Sequence, residues 1–173
     1  MAKITRACMS MANRRDGGVV VVGVGEASKG ELLLEGLKPA ELATWRHDDL
    51  ADTLSEYADP GLSFESQFLE YEGKTYLVIE VREFPDVPAL CKRDYQDVLR
   101  KGACYVRTRR KPESVEIPTQ EGMRDLLDLG IEKGVRRFLT QAHLAGHSLS
   151  GAPPPSDEDQ FDSELSDLAP DAP

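Results

Sequence analysis

The densest set of side chains that could do chemistry is basic. Lys92, Arg93, Arg100, Lys101, Arg107, Arg109, Arg110 and Lys111 fall within KRDYQDVLRKGACYVRTRRK, with Tyr95 and Tyr105 between them. Guanidinium groups pair with phosphate oxygens in fork geometry, and aromatic rings stack on unpaired bases. These residue types suit contact with a nucleic-acid strand. They also suit a strand edge kept soluble by its charge. A second basic point is Arg14-Arg15, in the phrase ANRRDGG. Backbone N–H groups of a glycine turn with two arginines beside them could hold a phosphate. A helix C-terminus, which favours cations, would place the same residues there for a different reason.

The glycines of RRDGGVVVVGVGEASKGELLLEGL pose a nucleotide question. Gly25 and Gly30 have P-loop spacing, but Glu31 and Leu32 stand where Lys and Ser/Thr would reach the phosphates and Mg²⁺. Gly23 and Gly25 fit the start of a dinucleotide fingerprint, but Ser28 occupies its third glycine position. The better reading is structural. Asn13, Gly17, Gly18, Gly23 and Gly25 let the chain turn into and out of a strand, and no cofactor is expected.

Metal chemistry finds few ligands. Glu72-Gly73-Lys74 has the E-x-K form of some nucleases, with Asp59 upstream, but Glu72-Gly73 reads better as a hairpin turn. His143 and His147 have helical zinc spacing without a third ligand nearby. Cys8, Cys91 and Cys104 lack C-x-x-C spacing and read as core residues of a reducing, cytoplasmic compartment. No metal is expected. No run of 18 apolar residues occurs, so no membrane span is expected, and no secretory leader is evident.

The formal net charge is −10, but it is unevenly spread. From Gly151 onward there are seven acids and no Lys or Arg, which leaves 24 acids against 21 bases in the rest. The acidic, Pro/Ser-rich segment 147–173 cannot bury enough apolar surface to order itself and reads as a disordered tail. A tail of this charge could also fold back on Arg107–Lys111 as a phosphate mimic. Residues 1–146 then form one domain.

These residues need elements to position them. Ile4, Ala7, Cys8 and Met11 recur at helical spacing. Val19 to Val24 is a continuous β-branched run that suits a central strand buried on both faces. LLLEGL is a possible short strand. Pro39 looks like the first residue of a helix burying Leu42, Trp45, Leu50, Leu54 and Tyr57, which ends at Asp59-Pro60-Gly61. Two β-rich runs flank Glu72-Gly73, with Leu77, Ile79 and Val81 directed to the core. ACYVRTR is a further strand, with Arg107 and Arg109 on one face. Thr119 caps a last helix over Gly122, with Met123, Leu126, Leu127, Ile131, Val135 and Phe138 as its apolar stripe. The fold class is α+β: a mixed β-sheet packed against helices.

In this order the elements resemble the Schlafen AlbA-like domain family, also described as a DNA-binding domain. MSMANRRDGGVVVVGVGE resembles its helix–ANTDGG–strand–GVDD phrase. Gly36-Leu37, DPGLSFE, YEGKTYLVIEV, VPALCKRD and CYVRTRRKPES resemble its later phrases, over about Ile4 to Ser114. The resemblance implies the fold and contact with DNA or RNA. Members with ribonuclease activity carry a Glu-x-x-x-x-Glu-Phe-Lys segment before the first helix and an Asp in GVDD. Their carboxylates would gather a divalent cation, a hard ion that wants several oxygen ligands. This chain begins inside that helix, and Gly25-Glu26 replaces Asp-Asp, so Glu26 is the sole remnant of a catalytic set. The expectation is a non-catalytic nucleic-acid-binding module with a possible protein partner or homo-oligomer. The alternatives are a metal-dependent nuclease completed by a partner or an upstream segment and, more weakly, an ATP-binding module.

Overall fold

A computed structural model describes residues 1–27, 31–108 and 113–145. The chain forms two compact units, Met1–Gly134 and Val135–Pro173. The division falls inside the last helix, ahead of the change in composition near Gly146.

The first unit is built around α1 (Ala2–Ala12). The spacing of Ile4, Ala7, Cys8 and Met11 predicts one buried face, but α1 is buried all round from Cys8 to Ala12, including Met9 and Ser10, and Thr5 is buried as well. The reason is that two clusters share it. Cys8, Met11 and Ala12 pack with Leu50, Leu54, Leu77, Ile79 and Val81. Met9 packs with Ala58, Cys91, Leu99, Ala103 and Tyr105. A helix flanked by core on two sides is apolar on both.

The main sheet has the order β1-β6-β5, from β1 (Gly18–Val22), β6 (Lys74–Val81) and β5 (Phe64–Tyr71). Its registers place Val20 opposite Ile79 and Ser66 opposite the same Ile79. Leu77, Ile79 and Val81 face the core as expected. The valine run does not take the expected central place. Among the described residues β1 pairs on one side only, and Val19 and Val21 are 49 % and 46 % exposed. Only its alternate residues Val20 and Val22 reach the core. The sheet is also antiparallel at both pairings instead of mixed: a tight hairpin at Glu72-Gly73 joins β5 to β6, and β1 runs against β6 on its other side.

Three small antiparallel pairs complete the β structure among the described residues. They join β2 (Val24–Glu26) with β3 (Leu32–Leu34), β4 (Ala58–Asp59) with β7 (Leu90–Cys91), and β8 (Tyr105–Arg107) with β9 (Ser114–Glu116). The single helix expected from Pro39 is two helices, α2 (Pro39–Leu42) and α3 (His47–Tyr57). Arg46 is extended between them, and the Thr44 hydroxyl donates back to Glu41 O, which competes with helix continuation. Leu50 and Leu54 still supply the buried side of α3.

The last helix, α4 (Gln120–Leu144), begins as its sequence predicts, with the Gly122 N–H donating to Thr119 Oγ1 at 3.1 Å. Its seat is narrower than the expected stripe. Leu126 and Leu129 are buried against Phe84 and Cys104, whereas Met123, Leu127 and Ile131 are exposed. The buried positions follow an i, i+3 step. In the second unit the α4 residues Val135, Phe138, Leu139 and Leu144 are exposed. No helix among the described residues is long and apolar enough to cross a membrane.

Candidate nucleic-acid interface

The turn after α1 is held by its first residue. Asn13 is buried, and its Nδ2 donates to Ala89 O at 2.8 Å and to Tyr105 O at 2.9 Å. Its Oδ1 accepts from Ala89 N at 2.7 Å. One amide thus joins the end of α1 to the segment before β7 and to β8. Asp16 and Gly17 follow in the left-handed region, both at φ 67. A Cβ on Gly17 would lie 2.1 Å from Val81 O, so no side chain fits there. Gly18 has no such φ, but its Cβ would meet Met11 Sδ at 2.4 Å. With both glycines pressed inward, Arg14 and Arg15 are left exposed.

The turn does not offer a ring of open N–H groups, as its glycines predict. Asp16 N donates to Glu83 Oε2 at 2.9 Å, Gly17 N to Arg14 O, and Arg14 N to Met11 O. The arginine side chains are the anion-facing groups here. Arg14 and Arg15 line a groove of about 2050 Å³ together with Arg107 of β8. Arg107 is half-buried, and its Nη1 donates to Ser114 Oγ at 3.3 Å.

The same groove has an acidic wall. Glu121, Asp125, Asp128 and Glu132 of α4 line it, as do Asp16 and Glu113. Glu132 holds Arg15 in a two-point contact, at 2.6 Å to Nη2 and 3.3 Å to Nη1. Hydrogen bonding and charge from Glu132 raise the Arg15 guanidinium above its ordinary value. Beside it, Lys133 Nζ lies 3.1 Å from Glu83 Oε1 and 5.5 Å from the centre of the Phe84 ring. The 4, 3, 4 spacing of these acids is present in the sequence, but reading α4 for its apolar stripe passes over it.

The remaining basic residues go elsewhere. Arg93 is paired with Glu56, and Arg100 with Glu116. Lys92 and Lys101 are exposed, and Lys101 N donates to Asp94 Oδ1 at 2.8 Å. Tyr95 is 42 % exposed and meets Tyr57 edge-on at 6.0 Å. Tyr105, expected among the nucleic-acid contacts, is 4 % exposed and packs in the core with Met9 and Leu99. Its Oη accepts from Arg100 N at 2.7 Å, so its ring is not available for stacking. Arg109, Arg110 and Lys111 lie outside the described residues, as do Gly30, His147 and the acidic segment after Gly146.

Close packing accounts for the glycine-rich strand. Gly23 sits at φ 106, with its carbonyl accepting from Gly36 N at 2.8 Å and the Tyr76 ring against it. A Cβ on Gly25 would come within 2.9 Å of the Glu35 carboxyl. Glu26 is exposed on β2, opposite Leu32. Among the described residues no three His, Cys, Asp or Glu side chains gather as a metal site. Glu72 and Gly73 form the β5–β6 turn at φ 50 and 71, and Lys74 Nζ donates to Leu34 O. All three cysteines are free and buried. Burial pushes the Cys8 thiol up to about 12 and that of Cys104 up to about 11, and it raises Cys91 as well.

Comparison with known proteins places this chain in a family. Two solved structures are similar. One is the DIP2311 protein from Corynebacterium diphtheriae, at 17 % identity and a TM-score of 0.44, over 67 % of this chain but only 17 % of that one. The other is the N-terminal domain of a RecG-related protein from Nitrosomonas europaea, at 24 % identity and a TM-score of 0.42, over 68 % of this chain and 78 % of that one. No curated protein matches. The family model described as Schlafen, AlbA_2 matches residues 1–116, from the first residue of the chain through β9. The chain therefore belongs to the Schlafen, AlbA_2 family.

Proposed function

We propose that this domain binds DNA or RNA through the groove between the Arg14-Arg15 turn and β8, and that it does so as a non-catalytic module. One observation carries the reading. Arg107 is far in sequence from Arg14 and Arg15, yet all three line one groove. Guanidinium groups that converge on one channel suit the regular phosphates of a nucleic-acid backbone. Membership of a family whose resemblance implies nucleic-acid contact supports the same reading. The exposed Lys92 and Lys101 would extend the basic surface, and the masking of Arg93 and Arg100 by glutamates makes those two weaker contributors. The non-catalytic half of the proposal rests on Glu26, which stands exposed on β2 opposite an apolar residue. A hard divalent ion wants several oxygen ligands. Fluorescence anisotropy with single- and double-stranded DNA and RNA probes at low salt tests the proposal. Binding that R14E/R15E removes is expected, and absence of binding to every probe would contradict it.

A further inference from the structure

We propose that α4, over Gln120–Gly134, is a built-in competitor of nucleic acid, with its acidic face seated in the groove where Arg14, Arg15 and Arg107 would receive phosphates. The inference rests on the nucleic-acid reading of that groove. Four observations carry it. Glu121, Asp125, Asp128 and Glu132 follow at steps of 4, 3 and 4, which puts all four on one face of a helix. All four line the groove that the three arginines line. One of them already does what a phosphate would do, since Glu132 presents both carboxylate oxygens to Arg15. The helix is also fixed there. Leu126 and Leu129 are buried, and Lys133 bonds Glu83, the same carboxylate that takes the Asp16 N–H of the turn. α4 lies beyond the family match, which ends at residue 116.

The strength of the effect follows from exposure. Arg15 and Glu132 side chains are 59 % and 40 % exposed, and ion pairs that exposed are individually weak. The helix therefore lowers affinity without abolishing it. Both the intramolecular contacts and the phosphate contacts are screened by salt, so the brake is felt most at low ionic strength.

The test compares three full-length chains with one labelled single-stranded and one labelled double-stranded oligonucleotide at low salt. They are the wild type, E121Q/D125N/D128N/E132Q, and the control E31Q/D52N/E70Q/E72Q, which removes four exposed acids outside the groove. Circular dichroism confirms that each is folded, and the single variant E132Q serves as the milder probe. Neutralising the α4 face is expected to tighten binding about tenfold, and E132Q about two- to threefold, with the control within about twofold of wild type. Equal tightening by the control and the α4 variant would reduce the effect to net charge and overturn the inference. Wild-type binding left unchanged by both α4 variants would overturn it while leaving the nucleic-acid reading intact. No binding by any chain would overturn both.

Discussion

Asn13 positions the turn that carries Arg14 and Arg15. Its buried amide satisfies Ala89 in both directions and Tyr105 O, so it sets where the turn stands against β8. Truncation leaves Ala89 N and Tyr105 O without this partner and Ala89 O with only the Cys104 thiol, at about 1–3 kcal/mol for each group left unpaired. Asn13→Ala is expected to lower unfolding free energy by about 3 kcal/mol, read from the urea midpoint. Asn13→Asp should be at least as damaging, because it aims a carboxylate at two carbonyl oxygens. The thiols supply a second prediction at this scale. Cys8 and Cys104 are pushed up to about 12 and about 11 by burial, against an ordinary value of 9.0. The unfolded chain releases these protons above pH 9 while the folded chain retains them. Stability from this source is complete below pH 9 and falls as pH rises from there to about 11–12, by at most about 1.4 kcal/mol per pH unit for each thiol. Urea melts between pH 8 and 10.5 should show this fall, and Cys8→Ala should make it shallower than in wild type. An unchanged slope would show that Cys8 ionises normally in the folded state.

Among the elements, β1 separates what the sequence carries from what it does not. A β-branched run of this length reads as strand, and it is one, but periodicity cannot tell a strand buried on two faces from one at an edge. Which side pairs is decided by β5 and β6, some forty residues later, whose hairpin leaves β1 outermost. Val21→Thr is accordingly expected to change stability by about 0.5 kcal/mol or less, because that side chain is exposed. Ile79→Ala, on the central strand and fully buried, should cost about 2–5 kcal/mol. Equal losses at the two positions in denaturant melts would contradict the edge placement. The local signals held elsewhere: the Glu72-Gly73 turn and the Thr119 cap are each set by residues within four positions. Signals that depend on distant partners did not. The Tyr105 ring alternates correctly along β8, but its burial comes from Met9 and Leu99. The stripe on α4 is real as a pattern, yet only Leu126 within it finds a seat, because Phe84 and Cys104 admit one narrow face.

Over the whole molecule, net charge is a poor guide to the partner. The chain carries −10, and the groove itself mixes three arginines with six acids. What matters for phosphate binding is which cations a strand could reach. Counterion release gives that number directly, since log K falls linearly with log salt at about 0.7–0.9 per phosphate contacted. The most direct measurement is therefore the salt slope of nucleic-acid affinity for the wild type and for R14Q/R15Q/R107Q, on the same probes. The account predicts measurable wild-type binding at low salt and a slope shallower by about two to three units in the triple variant, with weaker binding throughout. A triple variant that binds with the wild-type affinity and slope would contradict it and remove the groove as the nucleic-acid surface.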